Sequence, residues 1–463
     1  MLVMKFGGTS LADAVAMRRV ADIVETARPR RPVVVVSAVA GVTNRLLDSA
    51  RRAHTREATA KSLMTPLRDI HRRILGDLRL KRGLVDDDLD LLGEALQGIY
   101  LLRELTPRSL DYVASFGEVM SSKIFAALLD RKGVGARAWN AWDAGMVTDD
   151  RHGEANVLPR TYTDLKANLA PVLADEVPVV TGFVARAESG ERTTLGRGGS
   201  DYTAAIIGRA LGVEEIQIWT DVTGIMSCDP RIVRKAYTLR QLSFAEAAEL
   251  AFFGAKVLHP KTVEPALQVG IPVRILNTFE PEDSGTLVVR ETPTRSSDDV
   301  IQGLAVKRGN LLVSLVSTRM LEAEGYLAEV FQVLARHRIS VDGLATSEVS
   351  VSMTVDGRYA DALKGALKDL RRYARTSVFR NRAIICVVGE GMRLHHGIAG
   401  EVFGILGDSN INIELITQGA SELNLSFVVK DSVAERTLRA LHARFLENKP
   451  KARGDSTPRA ARR

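Results

Sequence analysis

The stretch Leu2-Val3-Met4-Lys5-Phe6-Gly7-Gly8-Thr9-Ser10 reads as a short strand running straight into a glycine turn. Past the turn, Ala16, Val20, Ile23, Val24 and Ala27 recur at helical spacing, with Ser10 placed to cap the helix. Pro29 and Pro32 stop that helix, and Val33–Val36 follows as an apolar run suited to a parallel strand covered on both faces. The alternation returns downstream. Ser109–Leu129 reads as helix, Val177–Val184 as apolar strand, Tyr202–Leu211 as helix and Glu215–Trp219 as strand. Helical patterns at Ser243–Phe253 and Thr262–Val269 and a strand at Val273–Leu276 continue it. Such βα units predict an α/β fold, a mostly parallel sheet sandwiched by helices. Residues 46–105 are helix-like, charged and rich in Arg, and read as a helical insertion beside the sheet.

The chain has 463 residues, enough for two to four domains, and its 45% apolar and 26% charged content exclude global disorder. No run of 18 apolar residues occurs and the first strand begins at once, so neither a membrane span nor a signal peptide is expected. Cys228 and Cys386 lie far apart, which suits a reducing cytoplasm better than a disulfide framework. The net charge of +7 is concentrated in the last sixteen residues, where six Lys/Arg face Asp455 alone; the other 447 residues carry only +2. That segment, 448–463, reads as a solvated, disordered basic tail, so neither a nucleic-acid nor a membrane partner is expected.

Beyond a polar, Pro-containing stretch at Pro281–Asp299 lies an internal repeat at a shift of 72 residues. Met320, Gly325, Glu329, Val330, Phe331, Leu334 and Ile339 recur as Met392, Gly397, Glu401, Val402, Phe403, Leu406 and Ile411. Each copy reads strand, glycine turn, helix, strand, strand. Such small α/β units cannot cover both faces of their sheet, so pairing with each other or with a second chain is expected.

No G-x-x-x-x-G-K-[ST] and no strand followed by G-x-G-x-x-G is present. Instead there are two glycine turns opening helices, Gly7–Ser10 preceded by Lys5, and Gly196-Arg197-Gly198-Gly199-Ser200-Asp201 ahead of Tyr202–Leu211. Free N–H groups at a helix start attract anions, and each turn carries a basic residue, which together point to phosphate chemistry. Lys5 offers a point charge, and Gly7 and Gly8 offer N–H donors to the same phosphate. Asp201 fits either a lysine partner or a helix cap. Arg197 offers a planar fork for a carboxylate. Glu118, taken alone, reads as an ordinary solvated helix charge. No His/Cys metal cluster is evident, and Cys228 reads as structural.

These residues occur in order with Ser37-Ala38, Val42-Thr43-Asn44, Gly117-Glu118, Trp219-Thr220-Asp221-Val222, Asp229-Pro230-Arg231 and Gly254-Ala255-Lys256-Val257-Leu258-His259-Pro260. The set, from Leu2 to about Val429, resembles the aspartate kinases: an amino-acid kinase fold followed by a tandem ACT (ferredoxin-like α+β) regulatory domain. The helical insertion is similar to that of the longer, lysine- or threonine-sensitive members, and the chain resembles a monofunctional one.

The resemblance implies ATP-dependent phosphorylation of the side-chain carboxylate of L-aspartate, with Mg2+ bridging the phosphates. It implies Lys5 and Asp201 as catalytic residues. Thr43, Glu118, Arg197, Gly198, Gly199 and Ser200 form the implied substrate site. The implied ATP site is Lys5, Gly7, Gly8, Thr220, Asp221, Met226, Arg231, Lys256 and Val257. Met226 departs from the family's tyrosine there and offers a flexible apolar wall instead. The expected domains are a kinase domain at 1–290, a linker at 291–305 and ACT units at 306–380 and 381–447. The implied effector site is Met320, Gly325, Tyr326, Leu327, Ser340, Val341, Asp342, Ser347 and Glu348. Asp342 could face an effector's ammonium group or be an exposed strand-edge charge. Lysine is the favoured feedback effector and threonine the runner-up. A homodimer or tetramer through the ACT units is expected. The alternatives are an inactive amino-acid sensor and a kinase of the same fold acting on glutamate or acetylglutamate; retention of Lys5, Arg197 and Asp201 argues against the sensor.

Overall fold

The computed structural model describes residues 1–254, 258, 260–292, 300–320, 324–419 and 423–447, in two units. The first comprises residues 1–225 and 238–247 and the described part of 257–292. It is built from β1 (Leu2–Phe6), α1 (Ala14–Ala27), β2 (Pro32–Val36), α2 (Val42–His54), α3 (Ala60–Asp77), α4 (Asp86–Leu102) and α5 (Pro107–Arg131). There follow β3 (Ala136–Trp139), β4 (Val147–Thr148), α6 (Thr161–Leu169), β5 (Val177–Thr181), β6 (Val184–Ala187), β7 (Arg192–Thr194), α7 (Gly199–Leu211) and β8 (Glu215–Thr220). The last are β9 (Gln241–Ser243), α8 (Phe244–Phe253), α9 (Pro260–Gln268), β10 (Val273–Asn277) and β11 (Thr286–Val289).

Eight strands form one sheet in the order β3-β5-β2-β1-β8-β10-β11-β9. All neighbours are parallel except β10 and β11. β1 therefore lies between β2 and β8, and the chain leaves it toward β2 and returns on the other side as β8. Ligands of open parallel sheets collect where strand order reverses in this way, beyond the strands' C-terminal ends. Leu2, Met4, Phe6, Val34 and Val36 pack into one core with Met17, Val20 and Val24 of α1 and Phe116, Met120 and Ile124 of α5. Leu46, Leu67, Leu75, Leu92 and Leu96 of α2, α3 and α4 join that core, so the helical insertion is packed onto the sheet rather than appended to it. By length and composition α5 could cross a membrane, yet 83% of its most apolar window is buried inside the protein.

Four local expectations change. Asp13, not Ser10, caps α1, its carboxylate accepting from Val15 and Ala16 N–H, while Ser10 is buried against the Thr278 hydroxyl at 2.7 Å. The Val177–Val184 run breaks into β5 and β6 at Phe183, held at φ +67°; β6 leaves the main sheet for a three-stranded one with β4 and β7. The Pro281–Asp299 stretch contains β11, a sheet strand. Residues 226–237, and 248 onward in α8, group with the second unit rather than with the expected 1–290 domain. Ser227 O accepts from Leu304 N–H at 2.8 Å there, and Lys235 pairs with Glu447.

The second unit adds β12 (Gly303–Val316), α10 (Tyr326–Arg336), β13 (Val341–Thr346), β14 (Ser350–Val355), α11 (Ala360–Leu370), β15 (Arg375–Val388), α12 (Ile398–Asp408), β16 (Leu415–Gln418), β17 (Asn424–Lys430) and α13 (Ala434–Phe445). Its sheet runs β13-β14-β12-β15-β17-β16, and the long antiparallel pair β12–β15 forms its centre. The sequence repeat is a structural one: Gly325 and Gly397 precede α10 and α12, and Val330 and Val402 are fully buried. The boundaries at 306 and 381 are corrected by strand pairing. Gly303–Lys307 pairs with 384–388, the half of β15 that carries β17, so these residues, expected as linker and first-copy start, complete the second copy's sheet. Val300 and Ile301 are already buried. Residues 293–299 of the expected linker and the basic tail lie outside the described residues.

Candidate active site

β1, β2 and β5 end side by side, and the turns leaving them, with the 196–201 turn, enclose a cleft of about 400 Å³. Its lining includes Lys5, Gly8, Thr43, Glu118, Arg197, Gly198, Gly199, Ser200 and Asp201. Every residue expected at the substrate and catalytic positions thus faces one cavity. Lys5, near the end of β1, places Nζ 2.6 Å from Oδ1 of Asp201, with both side chains about one-eighth exposed. Asp201 is the third residue of α7, whose cap is Gly198 at φ +72°, so Asp201 does not cap the helix. The left-handed backbone at Gly198 is one that a side chain would strain. Its carboxylate lies in the first turn, where the helix dipole favours an anion.

Glu118 comes from α5, which can approach the Ser37–Ala38 turn because residue 117 is glycine; a Cβ there would sit 2.7 Å from the Ala38 methyl carbon. One Glu118 oxygen accepts from Ala38 N–H at 3.1 Å, and the other is buried without a hydrogen-bond partner. Burial pushes its carboxyl from an ordinary value of 4.5 up to about 8, the Ala38 N–H opposing it only in part. A buried carboxylate with an unused lone pair is suited to receive a cation. Ser37 Oγ donates to Ser200 Oγ at 3.0 Å, tying the β2 turn to α7. Arg197 is exposed on the cleft wall.

Asp111, not singled out in the sequence, fixes this turn from outside. It is buried on α5 and accepts from Thr194 Oγ1 at 2.6 Å, Thr194 N–H at 3.2 Å and Gly153 N–H at 2.9 Å. Thr194 ends β7, two residues before Gly196. Phe183 also lines the cleft, at the strand break that follows Gly182.

The expected nucleotide residues gather less completely. Gly7 does not offer its N–H to a ligand: it donates to Trp219 O at 3.2 Å, extending the β1–β8 ladder by one bond. Gly8 alone of the pair lines the cleft. Thr220 ends β8 and its hydroxyl donates to Asp221 at 3.1 Å. Met226 and Arg231 belong to the second unit. Arg231, with its side chain 88% exposed, is forked onto Asp229 at 2.7 Å. Lys256 and Val257 lie outside the described residues.

In the second unit Tyr326 is buried at the start of α10 with its hydroxyl unpartnered, and Leu327 is exposed beside it. Met320 is half-buried and Ser340 is exposed; Val341 and Asp342 lie on β13, and Ser347 meets Ser350 hydroxyl to hydroxyl at 2.6 Å next to exposed Glu348. Asp342 is neither a free anion for an effector nor an exposed edge charge. Its carboxylate is buried against Lys307 Nζ at 2.6 Å, which also reaches Asp356 at 3.2 Å.

Residues 1–277 match the amino acid kinase family, and 313–369 and 385–445 match the ACT domain. The lysine-sensitive aspartokinase 3 of Escherichia coli (strain K12) is 39% identical over 458 residues, covering 96% of this chain and 99% of that protein. The chloroplastic aspartokinase 1 of Arabidopsis thaliana is 38% identical, covering 96% of this chain and 80% of its own length. Among solved structures, E. coli aspartokinase III in complex with lysine and aspartate (T-state) has a TM-score of 0.82 at 37% identity, covering 96% of this chain and all of that one. The same protein with aspartate and ADP (R-state) gives 0.78 at 38% identity, covering 96% and 99%. The chain belongs to the amino acid kinase family. Within that family it belongs to the aspartokinases.

Proposed function

We propose that this chain is an aspartate kinase, transferring the γ-phosphoryl group of ATP to the side-chain carboxylate of L-aspartate to give 4-phospho-L-aspartate and ADP. This is the first step toward lysine, threonine and methionine. The observation that carries the reading is the convergence of Lys5–Asp201, Glu118 and Arg197 on one cleft at the end of a parallel sheet. An ionised carboxylate is already a nucleophile, so the site needs no general base. One carboxylate oxygen forms a bond to phosphorus, the bond to the β-phosphate oxygen breaks, and ADP departs with the electron pair. What the protein must supply is positioning and positive charge. Lys5 places an ammonium where charge builds on the migrating group, with Asp201 holding it. Glu118 receives the substrate's ammonium group and Arg197 a carboxylate.

Among the described residues no three His, Cys, Asp or Glu side chains form a metal cage. Mg2+ would enter on the phosphates of ATP as part of the substrate. Coupled ADP-release assays with aspartate, glutamate and acetylglutamate test the function: turnover is expected with aspartate, and its absence would overturn the reading. Arg197→Ala is expected to raise aspartate KM about tenfold to a hundredfold with little change in kcat, because an exposed fork contributes mostly uniform binding. An unchanged KM would remove Arg197 from the substrate site.

The regulatory reading rests on the paired α/β units and on the lysine-bound relative. Lysine at millimolar concentration is expected to inhibit and threonine to inhibit less, and insensitivity to lysine would overturn the effector assignment. Because Lys307 already neutralises Asp342, Asp342→Ala is expected to act through release of Lys307, lowering the second unit's thermal stability as well as altering lysine sensitivity. Leu327 and Phe331 are exposed apolar residues on α10, which fits pairing of these units between chains as a dimer or tetramer. Light scattering at micromolar concentration is expected to give at least a dimer; a monomer would contradict it.

A further inference from the structure

A second cavity of about 510 Å³ lies between α4, α5 and the β6–β7 hairpin, and it shares no lining residue with the substrate cleft. One wall is apolar: Ala95, Ile99 and Leu102 of α4, with Val113 of α5. Against it stand two arginines from the hairpin, Arg186 and Arg192. The Arg192 guanidinium lies over three rings, Tyr112 at 4.7 Å, Phe116 at 4.9 Å and Trp142 at 4.9 Å, and donates to Ser115 Oγ at 2.9 Å. The Arg186 guanidinium lies 5.3 Å from the same Trp142 ring, and its Nε is buried without a partner.

Among the described residues neither guanidinium has a carboxylate within ion-pairing distance, although Arg108 at the rim is paired with Glu191 at 3.0 Å. Burial pushes the Arg192 pKa down and Arg186 adds to that, while Tyr112 and the more distant Asp88 and Asp143 carboxylates oppose it only in part. Two desolvated like charges around one indole are costly, and a fold that needed only the stack would gain by a carboxylate beside them. Perturbed, unpaired charge in a cavity of this size beside an apolar wall is the pattern of a ligand site.

We propose that this cavity binds a small organic acid, its carboxylate on the Arg186 and Arg192 guanidiniums and its apolar body against the α4–α5 wall. The planar forks of two arginines match a carboxylate's oxygens. The place in the fold makes it an effector site. Arg192 opens β7, which leads through Thr194 into the turn bearing Arg197, and Ser115 stands one helical turn from Glu118 on α5. A ligand that draws Arg192 off Ser115 acts on both walls of the substrate cleft, and any difference in its affinity for the two arrangements shifts aspartate binding.

The test titrates the full chain with 4-methylpentanoate, reading tryptophan fluorescence, which Trp142 reports from beneath both guanidiniums, and aspartate KM. Saturable quenching with a Kd of about 1 mM is expected, as suits a ligand of this size. A shift in aspartate KM of at least twofold is expected at saturation. Acetate, which has the charge without the body, and 4-methylpentan-1-ol, which has the body without the charge, are expected to give neither. Two variants approach the cavity differently. Arg186→Gln removes one charge. Gly98→Met fills the space from mid-α4, where a Cβ meets nothing within 4 Å and the change favours the helix. Each is expected to weaken binding at least tenfold while leaving kinase activity without the acid within twofold of wild type. Absence of saturable quenching, equal quenching by either control, or quenching that survives both variants would overturn the site. An aspartate KM that does not move at saturation would overturn its role as effector.

Discussion

Lys5→Ala is expected to lower kcat about a thousandfold while aspartate KM stays within a few-fold of wild type. The asymmetry follows from where the ammonium sits. Lys5 is held at the end of β1 between β2 and β8, and its Nζ lies 2.6 Å from Asp201 across from the Gly7–Gly8 turn. On the proposed reading that is the phosphate side of the cleft, whereas Glu118 and Arg197 supply the groups complementary to an amino acid. An amine there acts little on bound aspartate and strongly on a phosphoryl group that gathers charge as it moves. A thousandfold corresponds to about 4 kcal/mol of transition-state stabilisation, within what one preorganised charge supplies in a site shielded from water. Truncation also leaves Asp201 without its partner, so a thermal melt belongs beside the kinetics. Lys5→Arg, which keeps a cation but changes its reach, is expected to fold normally and recover only part of the rate. Activity of Lys5→Ala within tenfold of wild type would exclude the role.

The parts of this site that were legible in the sequence are those made by short stretches of chain. Glycine turns that open helices announced Lys5, Gly8 and the 196–201 loop, because turn and helix start are neighbours in sequence and each leaves a local mark. What was not legible depends on pairing across long separations. The Gly7 N–H looks free until β8, more than two hundred residues later, brings Trp219 O against it. Asp342 looks like an available anion until β12 delivers Lys307 from the strand half that completes the other repeat. β11 hides in a polar stretch because it is short: only Leu287, Val288 and Val289 are apolar, and its place between β10 and β9 comes from pairing with strands elsewhere in the chain. Phe183 takes a left-handed backbone that costs about 1–2 kcal/mol, and the single local mark of the break is the preceding Gly182, whose close approach to Ser200 shows only in the fold. Asp111 reads as one more helix acid, and only Thr194 and Gly153 folding back onto it give it a function.

Glu118→Gln should make the protein both worse at its reaction and more stable, with a pH dependence that identifies the cause. In the folded chain burial lifts this carboxyl to about 8, against 4.5 ordinarily, so between those values the native state holds a proton that the unfolded chain has lost. Stability then falls as pH rises through that window and is flat on either side of it. A rise from 4.5 to about 8 sets an upper bound of about 5 kcal/mol on the total loss. Glutamine does not titrate. At about pH 5 the amide and the neutral acid are expected to melt together, and at about pH 9 the variant is expected to melt several degrees higher. The remaining ionisable groups are common to both proteins and cancel in the difference. A pH-independent difference in melting would show that packing, rather than charge, separates them. The same burial explains the cost in function. On the proposed reading aspartate's ammonium group meets Glu118 in its charged form, so binding near neutral pH should release close to one proton, visible as a dependence of calorimetric heat on buffer ionisation. Wild-type kcat/KM for aspartate should accordingly climb toward pH 8. In the variant the proton release and that part of the pH dependence should vanish, and aspartate KM should rise about 10²- to 10³-fold, as when one partner of a buried charge pair is removed. An unchanged KM would mean that Glu118 does not receive the ammonium. Loss of binding together with gain of stability, both controlled by one carboxyl group, is what a residue kept for its ligand rather than for the fold should show.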